Sequence, residues 1–134
     1  MARYGLAASV VSVGTGCGGA GTPTLGCDAP RIGANVTFAL TQGTPSASGV
    51  LYFSGIPAAP TVLGSGCVVQ LDLATFTPLV SVATNAIGFW ALTAAVPLDQ
   101  DLVGLQGALQ IALFGTTGPI GVDLSNGLIA TIGY

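Results

Sequence analysis

The chain has 134 residues, and its charged side chains are Arg3, Arg31, Asp28, Asp72, Asp99, Asp101 and Asp123, 5% of the sequence where an ordinary globular domain has about 25%. With no Lys, Glu or His, it has no histidine relay, imidazole metal ligand, Schiff-base lysine or P-loop lysine, and two arginines are too few to hold a nucleic-acid backbone. Apolar residues make up 51% of the chain, but Gly, Pro, Ser and Thr interrupt them every few positions, which predicts one folded domain over residues 1–134 and neither disorder nor a membrane-spanning helix. A small outer-membrane barrel is the remaining membrane alternative, and its two aromatic girdles are poorly supplied by one Trp, three Tyr and five Phe.

Taken in chain order, residues 1–5 are expected as a flexible N-terminal segment. Leu6 to Val13 reads as a strand, too short and too interrupted by Ser9 and Ser12 for the core of a signal peptide. Residues 14–26 read as a long loop. Val36, Phe38 and Leu40 alternate with Thr37, Ala39 and Thr41, the period of a strand with one wet face. Gly49 to Ser54 is a further strand, and 55–66 a second long loop. Cys67, Val69, Leu71 and Leu73 alternate with Val68, Gln70, Asp72 and Ala74, predicting a half-buried strand that carries Asp72 on its wet side. Leu79 to Ala83 and Gly88 to Val96 follow. Pro97 to Leu102 is suited to a single helical turn capped by Asp99. In 105–113, Leu105, Leu109, Ile111 and Leu113 share one face, with Gln106, Ala108, Gln110 and Ala112 on the solvent side. Ser125-Asn126-Gly127 forms either a tight hairpin turn or a corner joining two sheets, and Leu128 to Ile132 closes the set. About eight mostly antiparallel strands of this kind make an all-β domain, a β-sandwich or jelly roll.

Few residues are candidates for chemistry. The glycine-rich run Gly14 to Gly21 is followed by Pro23 instead of a helix and has no lysine, so it reads as a β-loop, not a phosphate cradle. Asp99 and Asp101 are the close carboxylates and therefore the weak calcium candidates, needing Asp28, Asp72 or Asp123 to converge on them. The cysteines Cys17, Cys27 and Cys67 lack the short spacing of a zinc site, and their odd number leaves at least one thiol over if a bridge forms. No cofactor is expected. Trp90 beside Phe89, and Tyr52 beside Phe53, are the candidate ligand contacts, although alternation turns one member of each pair inward.

Several landmarks occur in order: Gly14-Thr15-Gly16-Cys17-Gly18-Gly19, Gly21-Thr22-Pro23-Thr24-Leu25, Pro30-Arg31-Ile32-Gly33, Leu63-Gly64-Ser65-Gly66-Cys67, Val96 to Leu105, Leu109-Gln110, and Leu124 to Leu128 with Thr131-Ile132-Gly133. From Gly14 onward the chain thereby resembles a family of short Gly/Pro-rich β-domains in secreted proteins of planctomycete-type bacteria, often carried at the C-terminal end of larger chains. The resemblance implies an extracellular, all-β, non-catalytic module with a bridge between Cys17 and Cys67. Cys27 departs from the pattern and is left as a free thiol, a bridge to another subunit, or a competing partner for Cys17.

With neither Lys nor Glu to guard strand edges, the surface is suited to contact. The expected function is a secreted or cell-surface structural or adhesive module, not an enzyme, that associates with copies of itself as a filament, sheath or surface assembly, or is appended to a larger secreted protein. The alternative is a carbohydrate-binding module using Trp90 or Tyr52.

Overall fold

The computed structural model describes residues 7–134, so the expected flexible segment 1–5 and the start of the first predicted strand lie outside the described residues. Its strands are β1 (Ser9–Val13), β2 (Thr24–Cys27), β3 (Asn35–Thr41), β4 (Ser48–Ser54), β5 (Thr61–Gly64), β6 (Cys67–Val69), β7 (Thr77–Ala83), β8 (Trp90–Ala95), β9 (Gln106–Phe114), β10 (Val122–Leu124) and β11 (Gly127–Thr131). The 3-10 turn at Gln100–Leu102 is capped as predicted, Asp99 Oδ1 accepting the Asp101 amide at 2.9 Å.

The expected all-β sandwich is present, with more strands than the eight predicted. One sheet has the order β1-β11-β9-β4-β7, with β10 also on β9; a second has the order β2-β3-β8; β5 and β6 form a separate two-stranded ribbon. The strand pairings are antiparallel, and the isolated bridge Arg31–Gly133 is parallel. The two main sheets close on Leu25, Leu40, Leu51, Val82, Leu109, Ile111, Leu113 and Leu128, all buried. Burying each such side chain contributes about 1.5–3 kcal/mol, so this layer is the main source of cohesion.

Strand β9 departs from its expected half-wet character. Ala108, Gln110 and Ala112, placed on the solvent side by alternation, are buried, and the strand is covered on both faces from Gly107 to Leu113. The cover is the β5–β6 ribbon with the Cys17 loop, which builds a smaller second core of Cys17, Cys67, Ala112 and Leu124. Gly49 makes the centre of the sheet close-packed, since a Cβ there would run into the Ala112 carbonyl on β9.

Three other expectations are corrected. The strand predicted from Cys67 to Ala74 ends at Val69, because the Asp72 carboxylate takes the Ala74 amide and the Thr75 hydroxyl and folds the chain into a turn. Asp72 is therefore a turn residue and not the wet face of a strand. The predicted loops 14–26 and 55–66 contain most of β2 and all of β5. Asn126-Gly127 is not a hairpin, nor does it lead the chain from one sheet to the other. β10 and β11 both run antiparallel to β9, and the bend between them turns Asn126 inward. There its Oδ1 accepts the Leu25 amide at 2.7 Å and its Nδ2 donates to the Leu25 carbonyl at 3.0 Å, tying the two main sheets together.

Candidate functional site

The outer face of the larger sheet presents Tyr52 from β4, Gln110 and Ala112 from β9 and Leu124 from β10. The segment after β6 passes over this face and is held by side chains buried beneath it. Gln110 Oε1 accepts the Gln70 amide at 2.9 Å, while its Nε2 donates to the Val68 carbonyl at 2.9 Å and the Ser125 carbonyl at 2.7 Å. Ser54 Oγ accepts the Asp72 amide at 2.9 Å. Between segment and sheet lies a groove of about 210 Å³ lined by Tyr52, Val69, Leu71, Leu73 and Phe76 over the floor of β9. Tyr52 and Phe76 meet edge to face, ring centres 5.6 Å apart.

The chemistry of this groove is narrow. Among the described residues no carboxylate, thiol or cation lines it, and both amide hydrogens of Gln110 are spent within the fold. It offers contact to an aliphatic or aromatic group, with the Tyr52 hydroxyl and the Gln110 amide as the polar side-chain groups in its lining.

The residues singled out by sequence are not brought together here. Tyr52 lines the groove, but Trp90 belongs to β8 in the other sheet and packs half-buried against the main core. The two aromatics therefore form no common platform for a sugar. Asp99 is occupied by the 3-10 turn. Asp28 accepts the Thr37 amide at 3.1 Å, and Asp72 and Asp123 bind elsewhere. Among the described residues no group of three or more Asp or Cys side chains is placed to hold a metal, so no third carboxylate converges on the calcium candidates Asp99 and Asp101.

Cys17 and Cys67 are joined, Cα atoms 5.2 Å apart, as the family resemblance implied, and the competing pairing of Cys17 with Cys27 is overturned. Cys27 is a free thiol on β2 that packs against the main core. Burial first, and the adjacent Asp28 carboxylate second, push its pKa from 9.0 up to about 11. At neutral pH its thiolate is therefore about a hundred-fold scarcer than that of an ordinary cysteine, and iodoacetamide labelling should be correspondingly slow, rising with pH to about 11. The unfolded chain loses this proton near pH 9.0 while the folded chain keeps it until about 11. Stability should consequently fall as pH rises across that interval, and a Cys27→Ser variant should lose this part of the dependence in urea unfolding curves.

The structurally decisive polar residue is Asp123, which the sequence reading considered only as a further carboxylate for calcium. Its carboxylate is 1% exposed and accepts the Gly19 amide at 3.2 Å, the Thr44 amide at 3.0 Å and the Thr44 hydroxyl at 2.6 Å. The glycine-rich loop thus donates its Gly19 amide to a carboxyl group that belongs to the chain itself. The available signal was an Asp between Val122 and Leu124, which alternation turns to the face opposite those two apolar residues. Comparison with family models, curated proteins and solved structures produced no match for this chain.

Proposed function

We propose that the chain is a non-catalytic extracellular structural module that associates with copies of itself or with a larger secreted chain through uncharged surface. The observation that carries this reading is the exposure of large apolar side chains, led by Leu98 at 81%, Ile87 at 78% and Val62 at 71%, on a chain with seven charges. The Cys17–Cys67 bridge is compatible with an oxidising, extracellular setting, and among the described residues no helix is long and apolar enough to cross a membrane. The resemblance to short β-domains of secreted planctomycete-type proteins supports the same placement. A carbohydrate module is the weaker reading, because Trp90 and Tyr52 lie in different sheets and the groove has few free polar groups for sugar hydroxyls.

Light scattering and electron microscopy over a range of protein concentrations test the proposal. Association should persist from low salt to about 1 M, where the screening length is about 3 Å, because little charge takes part in the contact. A monomer at all concentrations would overturn it. Flat Trp90 fluorescence during a glycan titration is the accompanying expectation.

A further inference from the structure

We propose that β8 is the contact edge, where a second copy of this chain adds its own β8 antiparallel across a two-fold axis; this rests on the self-association reading and names its surface. The other edges of the main sheets are obstructed or smaller. On β2 the outward amide and carbonyl of Leu25 are both taken by Asn126. On β7, Pro78 lacks an N–H and the pairing with β4 carries a register shift between Leu51 and Tyr52. β1 is five residues long, one fewer than β8.

β8 has none of these obstructions. Its six residues, Trp90-Ala91-Leu92-Thr93-Ala94-Ala95, contain no Pro, Gly or charge, pair with β3 without a register shift, and end the sheet. The Val96 amide donates to the Ala34 carbonyl at 2.9 Å, which sets the alternation of the ladder. Trp90, Leu92 and Ala94 bond inward to β3, while the N–H and C=O groups of Ala91, Thr93 and Ala95 point away from it. The side chains of these three are exposed.

Centring the two-fold on Thr93 sets Thr93 opposite its own copy and Ala91 opposite Ala95, each pair exchanging both backbone hydrogen bonds. The three-stranded sheet then runs on into the second copy. No like charges meet, since the strand has none. The same register brings Ile87, Gly88 and Phe89 of one copy to the level of Asp99, Leu98 and Pro97 of the other. Ile87 and Leu98, the two most exposed large apolar side chains among the described residues, flank opposite ends of β8, so one symmetry operation covers both.

Charge reversal across the axis tests this in the full chain. Ala91→Lys/Ala95→Lys sets like charges opposite each other and should reduce the sedimenting mass from that of two copies to one. Ala91→Lys/Ala95→Asp sets opposite charges together and should restore two copies, with thermal melts showing both variants folded. Amide exchange of the unaltered protein is the measurement independent of variant folding: Ala91, Thr93 and Ala95 should exchange more slowly as concentration rises. Association that persists in the like-charge variant, or concentration-independent exchange at those three amides in an associating protein, overturns the β8 edge while leaving self-association standing. An unaltered protein that is always monomeric overturns both.

Discussion

Replacing Cys17 and Cys67 together by alanine is expected to cost about 4 kcal/mol, the chain-entropy value for a bridge whose partners are 50 residues apart. For a domain of this size that corresponds to a fall of about 10–15 °C in Tm. The loss should be uneven. The main core between the sheets contains neither cysteine, whereas the second core consists of the disulfide with Ala112 and Leu124. β5 is mostly exposed and is joined to the rest chiefly through β6. Hydrogen exchange in the double variant should therefore show 61–71 losing protection first, with β3, β8 and the Leu109–Leu113 part of β9 retaining theirs. Equal loss of protection in all strands would mean that the ribbon and the sandwich unfold as one unit and that the bridge supports both.

Asp123→Ala is the second large effect, about 3–5 kcal/mol by urea unfolding, because it leaves the Gly19 and Thr44 amides and the Thr44 hydroxyl without their acceptor inside the protein. Asp72→Ala provides the contrast. Its bonds to Ala74 and Thr75 are local and exposed, water can replace them, and the cost should stay below about 1 kcal/mol. If the two variants were equally stable, Asp123 would not be the clamp between the glycine-rich loop and the turn at Thr44. Neither substitution touches the β8 edge, so neither should alter association in a variant that remains folded.

These two sites also mark where the sequence is easy to read and where it is not. The alternation in Val36–Thr41 and in 105–113 identifies strands without knowledge of their neighbours, since a period of two follows from the pleat alone. That same alternation misjudges the environment of Gln110 and Ala112. A strand's second face is wet only if nothing packs on it, and the β5–β6 cover comes from residues 40 or more positions away. Strand β2 escapes because Gly26 and Pro23 weaken its pattern, and its Leu25 owes its backbone partners to Asn126, 101 residues distant. Asn-Gly signals a tight turn by local propensity, yet here the Asn amide does more by satisfying buried backbone groups across the two sheets.

Composition and period by themselves determined the all-β class, the shortage of catalytic groups and the low charge of the chain, because these depend on residue type and on the geometry of a single chain segment. Tertiary structure alone decided that Asp123 is a buried acceptor, that Tyr52 and Trp90 lie apart, and that β8 is left as the open edge while β2 is closed by a side chain. Each of those depends on which distant segments meet, and a polar group is bland or costly according to the partner that reaches it.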